Sequence, residues 1–203
     1  MRRNLIPFAV MAAVLLAAFS GFVLGNVAGG DTAPAIASPT DTSADAGFAR
    51  AMQVHHNQGV EIAMIIRDAT DDVEVRVMAY DMAVTQAQQS GQMYAWLELW
   101  GLTQSSTVDP MAWMDGHGSH GAGVAMPGLA TSAQLAELRA ASGVEAEVLF
   151  LELMIVHHEG AVDMADAALE RATTPEVKRL AQSILDYQSK EIRIMQDMLA
   201  ARS

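Results

Sequence analysis

The chain has 203 residues, 51% of them hydrophobic and 5% aromatic, with no cysteine and a formal net charge of −12. That length supports a real core, the missing thiols exclude disulfides and cysteine chemistry, and the acidity argues against nucleic acid as a partner. Abundant Ala, Leu and Met, without the alternating Val/Ile/Thr of strands, predict an all-α protein.

The first segment is read as export machinery. Met1-Arg2-Arg3 precedes an uncharged apolar run from Leu5 to Leu24, so residues 1–25 form a signal or anchor segment. A run of about 20 residues can span a bilayer with its basic end inside. Cleavage after Ala35-Ile36-Ala37 would instead release a secreted form starting near Ser38. Either route places the domain outside the cytoplasm, in the cell envelope or beyond it. Residues 26–46, with Pro34, Pro39 and several Gly, Ser and Thr, read as a flexible linker.

The domain itself is expected over residues 47–203. A first helix begins near Asp45, whose side chain is available as a cap, and runs to Asp68. After Thr70-Asp71-Asp72 a second helix runs from Val73 to Trp100, with Val75, Met78, Met82, Gln89, Met93 and Trp96 at helical spacing, and Gly101 closes it. Residues 103–131 break the pattern with Pro110, Pro127 and several glycines, and read as a loop. Thr131 and Ser132 cap a short helix over Ala133–Ala141. A third long helix runs from Val144 to Arg171, and Thr174-Pro175 opens a fourth.

These helices repeat. A shift of 102 positions lays Phe48 on Phe150, Met52 on Met154, His55-His56 on His157-His158 and Glu74-Val75-Arg76 on Glu176-Val177-Lys178, then Gln86 on Gln188 and Met93 on Met195. One ungapped register of that length predicts a duplication. Its halves, about 47–101 and 143–201, are two helical hairpins forming a four-helix bundle.

At 100° per residue, His157 and His158 flank the packing seam of the third helix around Met154, while Glu159 and Asp163 face water. The fourth helix carries a heptad seam of Val177, Leu180, Ile184, Tyr187, Glu191, Ile194 and Met198, with Gln188 and Met195 beside it. A buried carboxylate or amide is costly unless paired, so the histidines are expected to partner Gln188 and Glu191, and Gln86 and Gln89 in the first half.

A single buried histidine is usually a core residue with a hydrogen bond, and buried methionine is usually adaptable filler. Two His-His pairs, each with a methionine three residues before, favour metal binding instead. Met111, Met114, His117, His120 and Met126 sit in the glycine-rich loop, where no core demands them, and are a second place for metal capture. Enzyme motifs are lacking: His158-Glu159 opens like a zinc-protease helix, but Val162 stands where the second histidine belongs, and the Glu-x-x-His of di-iron bundles does not occur. No enzymatic activity is expected.

Met154-Ile-Val-His157-His158-Glu-Gly-Ala-Val-Asp-Met164-Ala, with Met126-Pro-Gly-Leu-Ala-Thr131 and Gln188-x-x-Glu191-x-x-x-Met195, closely resembles the exported bacterial domain-of-unknown-function family 305. The resemblance implies a ferritin-like four-helix bundle and, from some members, copper binding and tolerance. It implies Met154, His157, His158, Met164 and Met195 as ligands in the second half, and Met52, His55, His56 and Met93 in the first. Ile62 stands where the second half has Met164, and Gln89 where it has Glu191, which makes the first site the weaker, although Met64 lies close by in sequence. Imidazole with thioether suits Cu(I) and tolerates Cu(II), so sequestration, tolerance or delivery of copper is the expected function. The competing reading is a non-catalytic structural or interaction module of the envelope, whose His/Gln/Glu layers set helix register. Expected partners are the metal ion, the membrane through the N-terminal segment, and a second copy or an envelope protein.

Overall fold

The connections at residues 70–72 and 172–174 are each three residues long, and each folds one long helix back along the one before it. The structure, a computed structural model, describes residues 38–115 and 125–202. The described residues form five α-helices: α1 Ala44–Ala69, α2 Val73–Leu99, α3 Ser132–Ala140, α4 Gly143–Arg171 and α5 Pro175–Ala200. A 3-10 turn spans Ala112–Met114, and the described residues contain no strand. The expected N-terminal anchor or signal segment lies outside the described residues. Among the described residues no helix is long and apolar enough to cross a membrane.

Local chemistry sets the helix ends. Ser43, not Asp45, caps α1 by accepting from the Ala46 amide, so the helix starts within the stretch read as linker. Asp72 caps α2 with two amide bonds. At its far end the Leu102 amide reaches the Leu97 carbonyl and the Gly101 amide that of Glu98, a Schellman closure that needs Gly101 at φ +69°. Thr131 and Gln134 form a reciprocal capping box on α3.

α1 packs along α2, α4 along α5, and α1 against α4. Both ends of α1 are tied to α4 or its turn. Near its start, the buried Asp45 carboxylate accepts from the amides of Thr173 and Thr174 and from the Thr173 hydroxyl at 2.8–3.1 Å. At the other end Glu147, which the repeat equates with Asp45, accepts from the Thr70 hydroxyl and from Arg202. Each turn is therefore held by a carboxylate of the other half, which fixes α1 and α4 antiparallel.

The apolar core falls into two clusters. One gathers Phe48, Met52, Met93, Trp96, Trp113 and Met164; the other gathers Ile62, Met82, Phe150, Met154, Leu151 and Met195. On α5 the buried positions are Val177, Leu180, Ala181, Ile184, Gln188 and Met195, while Tyr187 and Ile194 are 62% and 50% exposed. The expected heptad seam is thus corrected: a helix that is not supercoiled drifts off a seven-residue repeat, and the buried line passes from 187 and 194 to 188 and 195.

Candidate metal centre

Four histidines occupy the level between the two apolar clusters. The 3.6-residue period of α1 and α4 turns both members of each pair inward, and His55, His56, His157 and His158 are completely buried. The rings of His55 and His157 pack against each other across the two halves, tilted, with centroids 3.8 Å apart and planes 36° apart. Within each pair the centroids are 6.2 and 6.1 Å apart.

Three of the rings have acceptors opposite Nε2. His56 donates to Oε1 of Gln89 at 2.8 Å, His157 to the His55 carbonyl at 2.9 Å, and His158 to Oε2 of Glu191 at 2.9 Å. A neutral imidazole that donates from Nε2 carries its lone pair on Nδ1. All four Nδ1 atoms are buried and without a hydrogen-bond partner among the described residues, as are Nε2 of His55, both amide atoms of Gln86 and Oε1 of Gln188. Gln89 and Glu191 therefore engage the histidines directly, whereas Gln86 and Gln188 line the same level without such a bond.

Burial keeps His55, His56 and His157 uncharged at neutral pH. Desolvation, and then the neighbouring imidazoles, push His55 well below the ordinary histidine value. The nearby Pro127 backbone opposes the shift without forming a hydrogen bond to either ring nitrogen. Desolvation likewise lowers His56 to about 4, against the opposing effect of its bond to Gln89. His157 is lowered to about 3 by desolvation first and by His158 second. At neutral pH these rings offer lone pairs, the form in which imidazole ligates metals.

The layer is held tightly. A Cβ on Gly59 would come within 2.1 Å of Oε1 of Gln86 and 2.7 Å of Cε1 of His157, and one on Gly160 within 2.4 Å of the Pro127 carbonyl oxygen. The segment carrying Pro127 is also fastened to α1, because Gln58 exchanges two hydrogen bonds with the backbone of Ala130.

The methionines sort by end of the helix stack rather than by repeat. Met164 joins Met52 and Met93 in one cluster, while Met154 and Met195 share the other with Met82. Met64 is 41% exposed. The expectation that no core demands Met111 and Met114 is corrected. The 3-10 turn folds them inward to 1% and 0% exposure, with Trp113 packed edge-on against Phe48. The run Met111-Ala-Trp-Met114 after Pro110 carried that signal. Met126 is half-buried beside the same cluster, and His117 and His120 lie outside the described residues. Among the described residues no group of three or more His, Asp or Glu side chains is already arranged around one metal position.

Fold and site define an all-helical, internally repeated protein with a buried histidine layer between two methionine-bearing cores. The sequence matches the family described as Domain of unknown function (DUF305) over residues 45–199, and the chain belongs to that family. It is similar to a candidate secreted DUF305 protein of Streptomyces coelicolor, with 50% identity, a TM-score of 0.75, and 80% of this chain and 96% of that one covered. A DUF305 fragment from Deinococcus radiodurans shares 32% identity with a TM-score of 0.64, over 78% of this chain and 96% of its own. CopM in the Cu(I)-bound form shares the fold at 22% identity and a TM-score of 0.61, over 80% and 97% of the two chains. No curated protein matches the chain.

Proposed function

We propose that this chain is a ferritin-like four-helix bundle that binds a soft metal cation, copper foremost, outside the cytoplasm, and sequesters or delivers it without catalysing a reaction. The observation that carries the reading is the set of buried Nδ1 atoms left without partners while the opposite nitrogens of His56, His157 and His158 donate to Gln89, the His55 carbonyl and Glu191. Leaving such polar atoms unpaired costs about 1–3 kcal/mol each, and a cation satisfies them. Bonds of this kind to the far nitrogen orient metal-binding imidazoles.

The donors suit copper. Neutral imidazole and thioether are available in a layer with no thiolate, a combination that favours Cu(I) and accommodates Cu(II). The fold is shared with CopM in Cu(I)-bound and Cu(II)-bound forms. Likeness to a candidate secreted protein supports an extracytoplasmic location. The apolar start of the chain supports export, as a membrane anchor or a cleaved signal.

The test is an anaerobic Cu(I) titration against a moderate chelator. Native protein should compete successfully and bind Zn(II) less well. His157→Ala with His158→Ala, and His55→Ala with His56→Ala, should each weaken Cu(I) binding, because the four rings share one layer. His117→Ala with His120→Ala serves as the loop control. Unchanged titration after loss of all four buried histidines would replace this reading with that of an interaction module.

A further inference from the structure

The repeat allows the two ends of the α2/α5 pair to be compared position by position. At one end a groove of about 520 Å³ opens between these helices, with Met78, Glu74 and Asp81 on α2 and Glu191 and Met198 on α5 among its lining. A shift of 102 places Leu180, Glu176 and Ser183 at the positions equivalent to Met78, Glu74 and Asp81, and Gln89 and Trp96 at those equivalent to Glu191 and Met198. Both thioethers and two of the three carboxylates are thus confined to one end. Duplication supplies identical starting residues, so the two ends have come to differ in chemistry, and the difference is compatible with a task confined to one end.

What lies behind the groove gives that task. The Glu191 side chain is 32% exposed, yet its Oε2 accepts from Nε2 of the completely buried His158. It touches water on one side and the histidine layer on the other. Met78 and Met198 pack on the outside of the cluster holding Met82, Met154 and Met195, so thioethers run from the groove into the core. Nδ1 of His158 is unpartnered. Carboxylates at the mouth raise the local cation concentration, and thioethers exchange a soft cation without holding it as thiolate would.

We propose that the α2/α5 groove is the port through which a soft monovalent cation reaches and leaves the histidine layer, with Met78 and Met198 as the relay and Glu191 as its inner end. The inference rests on the metal-binding reading and adds a direction to it. The cation moves from water to the Met78 and Met198 sulfurs and then past Glu191 to His158, exchanging ligands without a change of oxidation state.

The test separates rate from affinity. Cu(I) is transferred anaerobically from a weak chelator in a stopped-flow instrument, and its release to a strong chelator is followed in turn, using the full chain. Met78→Leu with Met198→Leu should slow uptake and release alike, by about tenfold, and leave equilibrium affinity within about threefold, because a relay lies on the path and not in the site. Glu191→Gln, which copies Gln89 and keeps an acceptor for His158, should slow uptake and flatten its dependence on ionic strength. Glu176→Gln at the opposite end should change neither rate. Circular dichroism confirms that each variant is folded. Native Cu(I) binding with unchanged rates in the double methionine variant overturns the port alone. A loss of affinity without a matched fall in both rates makes the methionines ligands and overturns it as well. Absence of Cu(I) binding by the native chain overturns the metal reading and the port together.

Discussion

His55 and His157 hold the same position in the two copies of the repeat, yet their contact is one-sided. His157 donates Nε2–H to the backbone carbonyl of His55, whereas neither nitrogen of the His55 ring has a hydrogen-bond partner among the described residues. The close approach of the two rings, with centroids 3.8 Å apart, leaves little room for two charges, since like charges at that separation disfavour each other's ionisation.

Acid should therefore weaken the metal-free fold well before carboxylates titrate. The unfolded chain protonates these histidines near 6.5, while His56 and His157 protonate in the fold only near 4 and 3. Between those limits the unfolded state binds more protons, so stability falls as pH drops and is constant above about 6.5. The slope is about 1.4 kcal/mol per pH unit for each histidine already protonated when unfolded. Thermal melts from pH 8 to pH 5 should show a falling Tm in the native chain and a flatter profile in a variant whose four histidines are apolar. Equal profiles would remove the buried layer as the cause.

Asp45 carries a separate acid dependence at lower pH. Burial raises its pKa, but the bonds from Thr174 and Thr173 outweigh burial and bring it below 3.8. Its contribution is present above that value and lost as pH falls through the folded one. Asp45→Ala should cost about 2–4 kcal/mol at neutral pH, because the Thr173 and Thr174 amides lose a charged acceptor. Arg202→Ala should cost a comparable amount by leaving buried Glu147 without its cation. Urea denaturation of the two variants checks both, and losses under about 0.5 kcal/mol, the range of an ordinary surface change, would count against this account of the crossed ties.

Two glycines of neighbouring helices should respond in opposite senses to alanine. Gly91 has nothing within 4 Å of a built Cβ, so Gly91→Ala should stabilise by about 0.5–1 kcal/mol through helix propensity. Gly59→Ala receives the same gain but drives a methyl into Gln86 and into His157, whose ring is fixed by its bond to His55. Overpacking costs about 1–3 kcal/mol, which should outweigh propensity. Paired melts of the two variants decide the matter, and stabilisation by both would mean that the layer yields easily.

The repeat register and helical period made the helices, the two short turns and the burial of all four histidines readable, because 3.6 residues per turn fixes which side chains share a face. Register states which residues are equivalent, not which ones meet. Ile62 and Met154, and likewise Met52 and Met164, share clusters only because α1 and α4 run antiparallel, an arrangement tied by Asp45 to residues 128 and 129 positions away. Nothing local to Asp45 indicates that reach, and its place near a helix start resembled a cap. The burial of Met111 and Met114 is hidden for a similar reason: glycine and proline around them signal a loop, while their burial depends on where Trp113 lands on Phe48.

That sorting of methionines leads to the prediction that separates a site built within a repeat from one built within an end. If each half assembled its own ligands, Met164 would act with Met154 and Met195. The structure places it with Met52 and Met93 and puts the other two in the opposite cluster. Leucine keeps the volume of methionine while removing the sulfur, so Met→Leu variants test ligation with little change in packing. Cu(I) affinity should be measured for Met164→Leu alone, with Met52→Leu, and with Met154→Leu. Residues sharing a site couple by about 0.5–3 kcal/mol, whereas separated ones add within about 0.3–0.5 kcal/mol. Coupling is expected between Met164 and Met52, and additivity between Met164 and Met154. The reverse pattern would show that the copper site follows the repeat, with the α4 methionines acting together despite the cores that divide them.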